Sequence, residues 1–214
     1  MSMITFIGLA GGVGTTTLAL SAARACRLAV LVDLDLAGGD AAYRAGLHPS
    51  TSIADVAVLD PDHLDQSHIA ALTFPLTEGS GLIASPAHPL LAERLPTAAV
   101  ERVLDLCAPG GTVVVDAGGQ LTAAAVVALA RSTTVVLVGR NDDWCVRQVA
   151  IHRELLAGSG LMPEIRVASG RSRLGSRRFA ARCGDAGMAF DPRVLTSRAG
   201  LTLPMRLSAI GGGA

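Results

Sequence analysis

The residues of this chain whose types and spacing could do chemistry are a glycine loop and three acids. The loop, Gly8-x-x-Gly11-Gly12-x-Gly14-x-Thr16, lies between an apolar run from Ile4 to Leu9 and a helix-forming stretch from Thr15 to Ala25. Glycines let successive backbone N–H groups turn inward, and a helix beginning behind them adds its positive end, so this order makes an anion cradle. Gly11, Gly12, Val13, Gly14, Thr15, Thr16 and Thr17 would wrap the phosphates of a nucleotide. The spacing fits a phosphate loop whose lysine should stand at Thr15. The chain contains no lysine at all: its 18 basic residues are all arginine. A cradle of amides can still bind phosphate without that side chain. Hydrolysis needs charge stabilised in the transition state, where one cationic group is worth on the order of 10³ to 10⁵ in rate. Weak or absent hydrolysis is the expectation.

The acids close two further apolar runs. Asp33 and Asp35 end the stretch from Leu28 to Asp35, and Asp116 ends Thr112-Val-Val-Val-Asp116, which runs on into Gly118 and Gly119. In open parallel sheets ligands bind beyond the carboxyl ends of strands, which brings all three acids to the edge where the glycine loop lies. To position them the chain must alternate strands and helices. Helices are expected at 41–47, from Ser52 as N-cap through Ala57, and over 97–106, 121–130, 142–156 and 172–183. Strands are expected at 82–86, 133–138, 164–168 and 188–190, and residues 60–81 give no clear pattern. The fold class is therefore α/β, a doubly wound, mostly parallel sheet flanked by helices, of the P-loop NTPase type, in a single domain over 1–214.

Composition agrees and excludes other classes. Half of the residues are hydrophobic but only 3% aromatic, so Ala, Val and Leu must build the core, as in parallel sheets buried on both faces. The net charge is zero and the pI about 7.0, which gives no overall attraction to nucleic acid or acidic lipid. Cys26, Cys107, Cys145 and Cys183 are scattered and read as reduced, buried thiols. No window approaches the ~20 apolar residues of a membrane span, and the N-terminus has no basic leader, so a cytoplasmic protein is expected. Asp60, Asp62, His63, Asp65 and His68 crowd together, but their spacing matches no metal-ligand pattern, and a solvated face is the reading taken.

The loop Ala10-Gly-Gly-Val-Gly-Thr-Thr-Thr17, the strand end Leu31-Val-Asp-Leu-Asp35 with Gly38-Gly-Asp40, and Val113-Val-Val-Asp116 resemble the deviant Walker ATPases of the ParA/MinD class. The phrase from Leu31 to Asp40, with Ile53-Ala-Asp-Val56, is most similar to the CpaE/TadZ branch associated with Flp (Tad) pilus assembly. That resemblance implies ATP or ADP with Mg2+ as ligand. Thr16 would hold the metal directly, Asp116 through water, and Asp33 would support it, while Asp35 would orient the attacking water. It implies a homodimer formed over the nucleotide, with a signature lysine reaching across from the position of Ala10. Relatives often read adenine with an asparagine where this chain has Ser169. Partners implied are proteins of a pilus assembly or secretion machine. No amphipathic C-terminal helix of the membrane-anchoring kind is legible, so direct membrane insertion is not expected. A basic face formed by Arg171, Arg178 and Arg182 could contact DNA, with a solvated helix as the plainer reading.

Two other functions fit parts of the sequence. A partitioning or septum-site ATPase would need another cation in place of the lysine, and Arg140, after a strand, could reach the cradle. An NAD-binding Rossmann oxidoreductase would explain the missing lysine: Gly12-x-Gly14 half-matches the dinucleotide fingerprint, and Asp33 lies about 20 residues on, where a ribose-binding acid belongs.

Overall fold

β1 (Ser2–Gly8) is the strand on which the glycine loop hangs, and its alternation shows how the layers form. Ile4 and Phe6 point to one face of the sheet, Met3 and Ile7 to the other, and all four are at most 1% exposed. The computed structural model of the chain describes residues 2–26, 28–169 and 173–185. The strand expected at 188–190, the start of the last helix and Arg171 lie outside them.

α1 (Thr15–Ala25) follows the loop, then β2 (Ala29–Asp33), α2 (Ala41–Arg44) and a 3-10 turn (Ile53–Val58) capped by Ser52. α3 (Gln66–Leu72) leads into β3 (Thr73–Thr77) and β4 (Ser80–Ile83). Next come α4 (Pro89–Ala92), α5 (Thr97–Cys107), β5 (Thr112–Asp116) and α6 (Ala123–Arg131). β6 (Thr134–Val138), α7 (Asp143–Gly158), β7 (Glu164–Ala168) and α8 (Arg173–Arg182) complete the described chain. Asp142, expected inside the seventh helix, is its N-cap and accepts the Cys145 amide at 2.8 Å.

One seven-stranded sheet runs in the order β3-β4-β2-β5-β1-β6-β7, parallel except where β3 pairs antiparallel with β4. α1 and Ala41 of α2 pack against Ile4, Phe6, Leu31 and Val114 on one face. α3, α5 and α6 cover the other face around Val32, Val113 and Val115, and α7 and α8 continue that layer over Val135, Leu137 and Val167. The expected doubly wound sheet is what forms.

Three differences bear on the site. The unread stretch 60–81 contains the edge strand β3, which tolerates Pro75 because an edge strand can leave an N–H unpaired. β2 stops at Asp33, not Asp35, since its ladder with β5 ends on the pair Asp33↔Asp116. β4 stops at Ile83, two residues before Ser85, which lies over the end of β2 and donates to Asp33.

Strand order also corrects the dinucleotide reading. In a Rossmann sheet the strand bearing the ribose-binding acid lies beside the glycine-loop strand. Here β5 stands between β1 and β2, so Asp33 is two strands away, and the neighbour of β1 carries Asp116 instead. The NAD alternative has no support in this topology.

Candidate functional site

The carboxyl ends of β1, β5 and β2 stand side by side, and the loops that leave them enclose a cavity of about 460 Å3. Residues 10–17 line it from the β1 side, Asp35, Gly38, Asp40 and Arg44 from the β2 side, and Gly118 and Gly119 from the loop after β5. All seven residues expected to wrap phosphate therefore line one cavity. Gly14 turns the chain into α1 at φ 93°, where a side chain would be strained, and no side chain caps the helix. The first-turn N–H groups of α1 are left for a ligand.

Thr15 lines the cavity, and its hydroxyl lies close to Gly8. The residue is 9% exposed, and a Cβ on Gly8 would fall 2.6 Å from its Oγ1. Ala10 lines the same cavity and carries no charge.

The three acids do different things. Asp116 is fully buried; Oδ1 accepts the Gly118 amide at 3.1 Å, while Oδ2 has no hydrogen-bond partner. A buried carboxylate oxygen without a partner is costly, and it fits a ligand that the protein alone does not supply. Asp33, 1% exposed, has both oxygens engaged: Oδ1 accepts the Asp35 amide at 3.1 Å, and Oδ2 accepts the Ala41 amide and the Ser85 hydroxyl, each at 3.2 Å. It does not line the cavity. In the protein alone Asp33 anchors the segment that carries Asp35, Asp40 and Arg44, and it stands level with Asp116 behind the cavity. Asp35, two residues past the sheet, does line the cavity and leans over the backbone of Gly118. A Cβ there would meet its Cγ at 2.5 Å, and Gly118 also has φ 63°, so only glycine fits.

Neighbouring strands set Asp33 and Asp116 level with each other. Burial first, and each other's or nearby carboxylate charge next, raises the pKa of both well above the ordinary range. The Asp35 and Ala41 amides oppose this at Asp33, and Thr16 and the Gly118 amide oppose it at Asp116. The folded pair thus holds protons that the unfolded chain has lost above about pH 4, so the contribution of this pair to stability is greatest at acid pH and falls as pH rises towards about 8. The protein without metal should melt at a lower temperature at about pH 8 than at about pH 5, and Mg2+ should raise the melting temperature more at the higher pH. A melting temperature independent of pH over that window would count against the buried acid pair.

Do the residues present fit Mg2+? No three His, Cys, Asp or Glu side chains converge as a metal cage among the described residues. Mg2+ on nucleotides is held by one or two protein groups plus the phosphates and water, and the free Oδ2 of Asp116 with the Thr16 hydroxyl supplies that set.

The other candidates fall away from the cavity. Asp60 and Asp65 cap the turn Pro61–His63 and α3, the latter in a reciprocal box with His68, so this cluster is helix-capping chemistry. Arg140 is paired with Asp142 at 3.0 Å and does not line the cavity. Arg178 is exposed, but Arg182 pairs with Asp143 and Asn141 of the α7 end, which partly neutralises the expected basic face. The cation that does line the cavity, Arg44, was missed; the signal was Asp40-x-x-x-Arg44, an i, i+4 pair directly after the Asp33-x-Asp35 strand end.

No family model matches this sequence, and no curated protein matches it. Its fold is similar to that of solved structures. One is a ParA family ATPase from Chlorobium tepidum TLS, with a TM-score of 0.78 at 20% identity over 91% of this chain and 87% of that one. Another is the cell division ATPase MinD from Pyrococcus furiosus, with a TM-score of 0.66 at 17% identity over 91% and 77%. A third is the septum site-determining protein MinD complexed with Mg-ADP from Pyrococcus horikoshii OT3, with a TM-score of 0.64 at 16% identity over 91% and 75%. At these identities the likeness establishes the fold.

Proposed function

We propose that this chain is a ParA/MinD-type nucleotide-binding protein that takes ATP or ADP with Mg2+ in the cavity between the glycine loop and the loop after β2. The observation that carries the reading is the buried, unpartnered Oδ2 of Asp116, set beside Thr16 at a cradle of backbone amides. Residues 11–17 hold the phosphates, Thr16 and Asp116 hold the metal, and Asp35 stands where it could orient water. Bound Mg2+ would draw off phosphate charge. With Thr15 and Ala10 in the two lysine positions, hydrolysis is slow or absent, and the protein serves as a positioning platform that self-associates as a homodimer.

Within that frame the reading taken for its role is a cytoplasmic localisation or assembly factor for Flp/Tad pilus biogenesis. It rests on the resemblance of residues 31–40 and 53–56 to the CpaE/TadZ branch. A partitioning or septum-site role is the second reading, favoured by the ParA and MinD structures that share the fold. Its DNA-contacting form would use the face of Arg171, Arg178 and Arg182, of which Arg178 is an exposed cation on α8. No helix among the described residues is long and apolar enough to cross a membrane.

Calorimetric titration with ATP, ADP and NAD, each with and without Mg2+, followed by sizing of the complex, tests the reading. ATP and ADP should bind, more tightly with Mg2+, and NAD should not. Tight NAD binding without ATP binding would sink it, and brisk phosphate release would sink the slow-hydrolysis part alone.

A further inference from the structure

Arg44 stands on the wall of the cavity that faces the glycine loop across the end of β5. Its guanidinium is fixed along one edge by Asp40: Nε donates to Oδ1 at 2.7 Å and Nη2 to Oδ2 at 2.7 Å. This fork leaves Nη1 with no protein partner among the described residues, and the side chain is 49% exposed. Five N–H donors in a plane allow a guanidinium to hold a carboxylate with one edge and a phosphate with the other.

The charge balance gives this arrangement its meaning. Among the side chains lining the cavity, Asp35 and Asp40 are acidic and Arg44 is the one cation, with Asp33 and Asp116 buried just behind. A polyphosphate entering between the loops therefore meets amide dipoles on the β1 side and an acidic wall on the β2 side. The glycine loop offers no charge of its own, because Thr15 is neutral. The wall carrying Arg44 is itself well anchored: Asp33 accepts the amides of Asp35 and Ala41, and the Arg44 amide donates to the Asp40 carbonyl at 2.9 Å. The guanidinium is thus held from a fixed helix start and not from a free loop.

We propose that Arg44 is the phosphate-binding cation of this site, making from the opposite wall the charged contact that the glycine loop leaves unmade at Thr15, with Asp40 setting the plane of the guanidinium. The inference rests on the nucleotide reading above and names a ligand-contacting residue for it. The acidic neighbours support the same role, since Asp40 and then Asp116 hold the guanidinium firmly in its charged form.

The alternative role for Asp40–Arg44 is a surface pair that only steadies α2, and the two roles differ in sign. A steadying pair is lost equally from either side, so Arg44→Gln and Asp40→Asn would leave ATP affinity unchanged or lower it together. A phosphate cation and its holder act oppositely: Arg44→Gln removes attraction, while Asp40→Asn removes a repelling acid and keeps an oxygen to orient the arginine. The experiment is a titration of the full chain, wild type, Arg44→Gln, Arg44→Lys and Asp40→Asn, with ATP and AMP, in EDTA and in Mg2+. Melting temperatures check that each variant is folded. Arg44→Gln should weaken ATP about tenfold to a hundredfold and AMP much less, as expected for a charged hydrogen bond to the outer phosphates. Arg44→Lys should recover part of the loss, and Asp40→Asn should tighten ATP in EDTA. Equal ATP affinity in wild type and Arg44→Gln, or a shift in the same direction for Arg44→Gln and Asp40→Asn, overturns the assignment while leaving the nucleotide reading intact. Failure of the wild type to bind ATP in either condition overturns both.

Discussion

Replacing Thr15 with lysine should tighten Mg-ATP about tenfold to a hundredfold and raise the rate of phosphate release by at least on the order of 10². Thr15 is the first residue of α1 and already lines the cavity. A lysine there would stand where a phosphate loop carries its cation, on a stem long enough to run along the glycine loop. The ammonium would then arrive on the amide side of the site, where the charge of a transferring phosphoryl group develops. The rate effect should exceed the affinity effect, because the added cation meets more charge in the transition state than in the ground state. Thr15→Ala is the control and should change neither quantity by more than a few fold. If Thr15→Lys tightens ATP yet leaves turnover flat, the barrier lies elsewhere, in the missing cross-dimer cation at Ala10 or in Asp35.

Asp116→Asn should act in opposite directions on binding and on stability. The variant keeps an oxygen for the Gly118 amide but removes the negative charge that Mg2+ would meet, so the tightening of ATP by Mg2+ should fall by two orders of magnitude or so. At the same time it relieves a buried carboxylate pressed by burial and by the neighbouring acids. At about pH 8 that relief is on the order of 1 to 3 kcal/mol in the metal-free protein, a rise of several degrees in melting temperature. Melting without metal and Mg2+-dependent titration on the same preparation check the two together. A variant that melts lower and still gains affinity from Mg2+ would show that Asp116 is a structural carboxylate and not the metal's.

The contrast between Asp116 and Asp33 shows how far local pattern reaches. Both end an apolar run of β-branched and aliphatic residues, so both were legible as strand-end acids facing the glycine loop. Which one keeps an oxygen free depends on Ala41, Ser85 and Gly118, residues brought to them by a helix start, the segment leaving β4 beside β2, and a turn. The same holds for Arg44. Its identity and its spacing from Asp40 belong to the sequence, but its presence in the cavity follows from α2 starting against Asp33. Arg140 offered the same chemistry by position after a strand, and pairing with Asp142 takes it out of contention.

By itself the amino-acid order determined the alternation of strands and helices, the amide cradle over residues 11–17, the acids at the ends of β2 and β5, and the absence of lysine from the loop. These are local matters: a period of two or 3.6, glycine's freedom, and which side chain stands at a given offset. Only the tertiary structure decided that β5 lies between β1 and β2, that Asp33 anchors a loop, that Asp116 keeps a buried oxygen without a partner, and that Arg44 faces the cradle. Strand order and the contacts of Ser85 and Arg44's wall with the rest of the site depend on segments tens of residues apart, and such pairing leaves no periodic trace in the segments themselves.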